Sequence, residues 1–145
     1  MHSIWIDLHD FCVVWMTAVI WLVQVLIYPN FRLIADSDFG AFHKRHCDRI
    51  AILVGPMMIQ PFANLMILFA GLRSLEWILH FVSITFIFVA TAFFSVPEHN
   101  RLGEKKDPEA ITRLIRRNWV RTLLWSFEFA LILVRRFDVV AKSGG

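Results

Sequence analysis

Cysteine is scarce in this sequence, and the two cysteines present, Cys12 and Cys47, form neither a CxxC pair nor a CxxCH motif. A disulfide framework and covalently attached haem are therefore excluded. Glycine and proline are also few, at 6 and 5 of the 145 residues. The composition is far from that of a disordered chain.

Recognisable catalytic motifs are absent too. The sequence has no phosphate-binding glycine loop, no GxSxG elbow and no Ser–His–Asp arrangement, and nothing in it suggests nucleic-acid binding. Lysine and arginine are missing from the first ten positions, which carry Asp7 and Asp10. Because this start lacks the basic region of a secretory signal peptide, we expect the first apolar run to be retained as a helix.

Apolar residues are what the chain has in excess, at 57% of the sequence, with 14% aromatic residues. This is too apolar for an ordinary soluble domain of this length. Four runs are long enough to span a bilayer as helices, at about 8–28, 50–72, 75–96 and 119–136. The sequence therefore predicts a single all-α domain over residues 1–145, a bundle of four transmembrane helices.

The connections between these runs predict the topology. Residues 71–74 make a tight hairpin, whereas 28–49 and 96–118 are long connections on the side opposite both termini. The long connections and their edges carry most of the basic residues, and the other side carries Arg73, Arg135, Arg136 and Lys142. By the positive-inside rule we expect a multi-pass protein of the cell inner membrane with both termini non-cytoplasmic.

Two of the predicted helices begin before they enter the membrane. Asp38 is a candidate N-cap for the second helix, which we expect to start near residue 38. Asp107-Pro108-Glu109 has the pattern of an N-cap, a proline at the first helical position and an acid in the first turn. Helices two and four are therefore expected to extend on the cytoplasmic side, while Pro29 and Pro97 end helices one and three.

Polar residues follow one stripe on each predicted helix. On the fourth helix Asn118, Arg121, Trp125 and Glu128 recur at steps of three, four and three, which places them on one face. Facing lipid, Arg121 and Glu128 would cost roughly 2.5–3.5 kcal/mol each, so we expect them to face a protein interior. Together the stripes predict a polar funnel that opens to the cytoplasmic face.

Metal binding is one interpretation of this funnel. His43 and His46 lie one helical turn apart, and with His99 and Glu98 they offer N and O ligands for a transition metal. Haem held by His46 and His99, or by His9 and His80, is a less favoured alternative. The bland interpretation of the histidines is a solvated or phosphate-contacting pair.

Binding of an organic molecule is the other interpretation. Arg121, with Asn118 and Tyr28, can hold a carboxylate, phenolate or quinone oxygen, and a nearby imidazole can act as a general base. The alternative for Arg121 is an internal ion pair with Glu128 that fixes helix packing. The predicted catalytic residues are His43, His46, His99 and Arg121, and the predicted ligand-binding residues are Gln24, Tyr28, Gln60, Asn100, Asn118, Trp125 and Glu128.

Five short segments carry a family resemblance: YPNF at 28–31, the FHxxH pattern at 42–46, GP at 55–56, VPEHNRL at 96–102 and RNWVRT at 117–122. They resemble a family of small, uncharacterised bacterial integral membrane proteins with four spans. The segment from Pro97 to the Asn-Trp-x-Arg pattern is also similar, more distantly, to the anthrone-oxygenase-like domain family. That likeness implies that Asn118, Trp119 and Arg121 belong to the working end, and that the substrate is a phenolic ring that becomes oxygenated.

Two classes of function remain open on the sequence. The first is a membrane-embedded oxidoreductase or oxygenase that acts on a lipophilic ring compound from the cytoplasmic face. The second is a non-catalytic accessory subunit of a membrane complex, or a carrier of small solutes. The expected partners are the lipid bilayer, a lipophilic small molecule, and further copies of the chain or other membrane subunits.

Overall fold

The computed structural model describes residues 2–72 and 74–143, and in this part of the chain every regular element is helical. Arg73 and the side chain of Lys142, both placed on the non-cytoplasmic side from the sequence, lie outside the described part. The α-helices are α1 (His2–Leu22), α2 (Tyr28–Asn30), α3 (Asp36–Leu53), α4 (Gly55–Phe69), α5 (Leu75–Ala90), α6 (Val96–Glu104) and α7 (Pro108–Ser143). The predicted all-α class is confirmed.

The sequence predicted that the first helix ends at Pro29, but in the structure the helix continues beyond this residue. A π-helical turn over Val23–Ile27 precedes α2, and the backbone N–H of Tyr28 donates to the carbonyl of Val23. A 3-10 turn over Phe31–Leu33 follows before the chain becomes extended at Ile34. The π-helical turn directly before Pro29 widens the helix and accommodates the missing N–H and the ring of this proline. The helical path therefore continues to Leu33.

The third helix passes its proline in the same way. A π-helical turn over Thr91–Ser95 leads directly into α6, and Pro97 occupies the first turn of that helix. The expectation that Pro97 ends the third helix was wrong, because the π-helical turn before it, in which the Val96 N–H bonds to the Thr91 carbonyl, accommodates the proline. In consequence, His99 is carried on a helix rather than on a flexible connection.

Two further bounds differ from the sequence expectations. The second helix begins at Asp36, close to the predicted start, but Asp38 lies in its first turn and is not the N-cap, which is Ala35. The helix is interrupted at Val54, where Pro56 enters the first turn of α4. The last helix begins at Pro108, as predicted, with Asp107 as its cap: Asp107 Oδ1 accepts the N–H groups of Glu109 at 2.8 Å and Ala110 at 3.1 Å.

Removing the Asp107 cap is expected to destabilise the protein in a pH-dependent way. The N–H of Ala110, helped by that of Glu109 and by Arg113, holds the pKa of the Asp107 carboxyl below its ordinary value of 3.8. This stabilisation is present above the unfolded pKa and is lost as the pH falls through the lower folded pKa. The difference in thermal midpoint between wild type and Asp107→Ala should therefore be clear at about pH 7 and shrink by about pH 3.

The exposed Asp138 on the same helix provides the matched control for this measurement. Asp138→Ala should leave the midpoint unchanged at both pH values. A difference between wild type and Asp107→Ala that stays constant down to the acid end would contradict the capping role of the charged carboxylate.

Within residues 2–72 and 74–143, three helices are long and apolar enough to cross a membrane: Ile4–Leu33, Asp36–Phe69 and Leu75–Glu104. Many large apolar side chains on these helices are exposed, which is compatible with contact with a lipid bilayer. Helix α7 is not among them, because Arg121, Glu128, Arg135 and Arg136 interrupt its apolar run. The all-helical fold is thus confirmed, but the described residues contain three candidate membrane spans rather than the four that were predicted.

The long helices close into a ring in which α1 contacts α4 and α7, and α5 contacts the same two helices. Two apolar clusters fill its interior. One cluster, near the α3–α6 end, includes Phe31, Phe39, Leu102, Ile111 and Leu114. The other lies between α1, α5 and α7 and includes Met16, Ile20, Ile84, Ile87 and Trp125.

Candidate functional site

Three potential metal ligands from two helices meet beside α2. His43 and Cys47 lie one turn apart on the same face of α3, and His99 reaches them from α6. We call these three residues the His43 cluster. His43 is buried, whereas Cys47 and His99 are half-buried.

The ligand atoms of the His43 cluster lie close together. His43 Nε2 is 3.1 Å from His99 Nδ1, and the Cys47 Sγ is 3.7 Å from His43 Nε2 and 3.9 Å from His99 Nδ1. A tetrahedral zinc ion with ordinary bond lengths would separate its ligands by about 3.4 Å between nitrogens and about 3.6 Å between nitrogen and sulfur. The three atoms are therefore spaced for a transition-metal ion with one thiolate and two imidazoles, which leaves a fourth position open.

His46 lies beside this cluster but is not among its three ligands. Its ring stacks on that of His99 with centroids 5.9 Å apart, and it packs edge to face on Phe31 at 5.0 Å. His46 Nε2 is buried without a hydrogen-bond partner. The structure thus groups Cys47, rather than His46, with His43 and His99.

Tyr28 and Arg121 connect the cluster to the bundle interior. Tyr28 Oη lies 3.0 Å from His99 Nε2, the ring nitrogen that points away from His43. Arg121 is only 6% exposed, and its guanidinium adjoins the Tyr28 hydroxyl and donates to Ser95 Oγ at 2.9 Å. With His99 Nδ1 on a metal, the Nε2–H would donate to Tyr28, the outer hydrogen bond that orients a metal-bound imidazole.

A cavity of about 240 Å³ opens against these side chains. Most of its wall is aliphatic, from Met16, Val19, Ile20, Val23, Ile50, Val54 and Val96, and its polar atoms come from Tyr28, Thr91, Ser95, His99, Asn100 and Arg121. An apolar pocket with a few convergent polar groups is the usual form of a small-molecule site. The Nε of Arg121 is buried without a partner in this site, so it is free to donate to a ligand.

Other residues predicted from the sequence have different positions. Asn118 Nδ2 donates to Gln24 Oε1 at 2.8 Å, and Gln24 Nε2 donates to the carbonyl of Ile115 at 3.3 Å. This pair ties the π-helical turn of the first helix to α7. Trp125 is fully buried in the apolar core between α1 and α5.

Glu98, predicted as a metal ligand, does not lie with the ligand atoms of the His43 cluster. Its Oε1 accepts hydrogen bonds from Arg113 Nε and Arg117 Nη1, both at 2.9 Å. The proposed ion pair between Arg121 and Glu128 is not formed either. Arg121 bonds to Ser95, and Glu128 bonds to His80 on α5.

Gln60 and Glu128 belong to a second polar group, formed with His9 and His80 deeper in the bundle. The predicted single funnel is therefore divided into two polar sites. Haem between His9 and His80 does not fit, because their rings touch edge to face with centroids 4.4 Å apart and leave no room for a porphyrin. The rings of His46 and His99 lie 19° from parallel and stack, so they too leave no porphyrin plane between their nitrogens.

Sequence reasoning missed Cys47 and Ser95 as members of the first site. The i, i+4 spacing of His43 and Cys47 was a usable signal, since it places both side chains on one helical face. Ser95 had no comparable signal, because its approach to Arg121 depends on the π-helical turn at Thr91–Ser95.

Comparison with known proteins gives no match: no family model, no curated protein and no solved structure corresponds to this chain. The resemblance to the four-span bacterial family and to anthrone-oxygenase-like domains therefore stays a prediction.

Proposed function

We propose that this protein is a membrane-embedded, metal-dependent oxidoreductase that acts on a lipophilic ring compound. The observation that carries the proposal is the cavity whose polar end, made by Tyr28, His99 and Arg121, adjoins the ligand atoms of the His43 cluster. A flat apolar molecule fits such a wall, and an oxygen substituent would meet the guanidinium.

We also propose a membrane topology in which α7 is a fourth span. The protein then lies in the cell inner membrane, and both of its termini are non-cytoplasmic. The charged groups of α7 that face the bundle have partners there: Ser95 for Arg121, His80 for Glu128, and Asp10 and Glu76 for Arg135. Paired and inward-facing charges are the form in which ionisable residues are tolerated inside membranes. The basic residues near α3 and α6 favour the cytoplasm for that end.

Each residue of the site has a role in this proposal. Arg121 binds the oxygen of the ring compound, and Tyr28, which accepts the Nε2–H of His99, directs its own hydroxyl proton toward that oxygen. A metal ion held by the His43 cluster would supply the redox or Lewis-acid chemistry. The aliphatic wall excludes water from the reacting ring.

A reaction of the oxygenase class fits these parts without an external reductant. A ring methylene and dioxygen would give a ring carbonyl and water. One oxygen atom becomes the carbonyl oxygen, and the other leaves as water with the two methylene hydrogens. The polar end of the cavity suits both the phenol-like form of such a substrate and the carbonyl of its product.

Ligand binding tests this proposal directly. Purified protein in detergent is titrated with 1-naphthol and with menadione, and the dissociation constants are compared for wild type and Arg121→Leu. A hydrogen bond to a charged donor contributes about 1.5–3 kcal/mol, so Arg121→Leu should weaken binding by about tenfold or more.

Arg116→Leu is the matched control, since Arg116 is an exposed arginine on the same helix. It should bind both compounds as wild type does. Equal affinity of Arg121→Leu and wild type, with both proteins monodisperse, would contradict the proposed role of Arg121. Failure of wild type to bind either compound or any metal would favour the accessory-subunit or carrier alternative.

A further inference from the structure

A second group of potential ligands lies in the interior of the bundle, where His9 of α1, His80 of α5 and Glu128 of α7 meet. One ligand atom from each lies within 4.8 Å of the other two. We call these residues the His9 cluster. All three side chains are completely buried, and none of them lines the cavity beside Arg121.

The contacts inside the His9 cluster leave polar atoms unused. His80 Nδ1 and Glu128 Oε2 are 2.7 Å apart, and the His9 ring packs edge to face on His80. Among the described residues His9 Nε2 and Glu128 Oε1 are buried without a hydrogen-bond partner, and the Ser83 hydroxyl adjoins the Glu128 carboxyl. Buried polar atoms without partners are costly, so a ligand that contacts these atoms would be favoured here.

The outer nitrogens of both histidines face further polar groups. The side-chain amide of Gln60 lies 2.8 Å from His9 Nδ1. His80 Nε2 has no hydrogen-bond partner in the described part of the chain, and Glu76 Oε1, which is ion-paired with Arg135 at 2.8 Å, lies 3.8 Å from it. Rotation of the Gln60 amide would present its unpartnered Oε1 to a protonated His9 Nδ1. An acceptor on the far ring nitrogen is the usual support of a metal-bound histidine.

We propose that the His9 cluster is a second metal site, which binds one divalent transition-metal ion of the zinc or ferrous class. Two imidazoles and one carboxylate are the donor set that these ions prefer, and hard ions such as Mg²⁺ favour oxygen ligands. A cation in the centre would give His9 Nε2 and Glu128 Oε1 a partner and would compensate the buried carboxylate. It would also join α1, α5 and α7, the helices that α4 closes into the ring.

This site is independent of the proposed function, so its test starts from a background variant that disables the His43 cluster. The background carries Cys47→Ser and His99→Gln. Protein is produced in zinc-supplemented cells, purified in detergent and dialysed against a chelator, and its zinc content is measured by mass spectrometry. We expect one zinc ion per chain in the background and none detectable when Glu128→Gln or His9→Gln is added.

The exposed Glu109 of α7 supplies the matched control, and Glu109→Gln in the same background should retain its zinc. Cobalt in place of zinc provides a readout on the background protein itself, which does not depend on folding of a further variant. The His9 cluster should give cobalt d–d absorption without the thiolate charge-transfer band that Cys47 would add. A background protein without zinc or cobalt overturns the proposal, as does full retention of zinc after Glu128→Gln.

Wild-type stoichiometry separates this inference from the proposed function. Two metal ions per chain in wild type and one in the background support both sites. One ion in wild type and one in the background supports the His9 cluster and contradicts metal binding at the His43 cluster. One ion in wild type and none in the background contradicts metal binding at the His9 cluster and leaves metal binding at the His43 cluster supported.

Discussion

Serine in place of Cys47 is expected to abolish metal binding at the His43 cluster. The thiolate is one of three ligand atoms spaced 3.1 to 3.9 Å apart, and a serine hydroxyl stays protonated near neutral pH and is a poor ligand. Loss of an outer-shell partner typically weakens a metal site by 10–100-fold, so loss of a direct ligand should cost more than about 100-fold in affinity. Cobalt titration in detergent measures this through the thiolate charge-transfer band.

The other cysteine of the chain supplies the control. Cys12 is buried in α1 and is absent from both potential ligand groups of the described residues. Cys12→Ser should keep the cobalt charge-transfer band and the metal affinity of wild type. Should Cys47→Ser retain that band while Cys12→Ser loses it, the assignment of the metal to the His43 cluster would be wrong.

Glu98→Gln is expected to cause the largest loss of stability. The Glu98 side chain is 3% exposed and bridges Arg113 and Arg117 through one oxygen. Breaking a fully buried ion pair costs about 3–5 kcal/mol, and we expect about 2–4 kcal/mol here because both arginines are partly solvated. Thermal unfolding in detergent measures the effect, and metal affinity should fall with it because His99 is the next residue of α6.

Glu104 on the same helix is exposed and is the matched control. Glu104→Gln should unfold at the wild-type temperature and keep its metal. An unchanged midpoint for Glu98→Gln would show that Arg113 and Arg117 find solvation as favourable as their bonds to Glu98, and the bridge would then have no stabilising role.

The polar stripe on α7 was the most informative feature of the sequence, since Asn118, Arg121, Trp125 and Glu128 are all buried. Their spacing places all four side chains on one face of the helix, and the free-energy cost of placing a charge in lipid means that this face must point into the bundle. The hydrogen-bond partners of these residues could not be predicted from the sequence in the same way. Arg121 bonds to Ser95 and Glu128 to His80, because the relative height of α5 and α7 decides which side chains meet.

The prolines show a similar division. Pro29 and Pro97 were expected to end helices, because an interior proline loses a hydrogen bond. In the structure each proline directly follows a π-helical turn, in which the preceding residue bonds five residues back, and this widened turn accommodates the proline so that the helical path continues. That continuation brings Tyr28 and His99 within 3.0 Å of each other.

By itself, the sequence determined the helical class, the apolar outer faces and the inward direction of the polar residues. These follow from periodicity and from the free energy of placing each side chain in lipid or protein, both local properties of the chain. Only the tertiary structure decided that Gln60 and Glu128 join His9 and His80 in a separate site, that Cys47 joins His43 and His99, and that a cavity lies beside Arg121. Those outcomes depend on helix register and crossing, which arise from packing between residues distant in sequence.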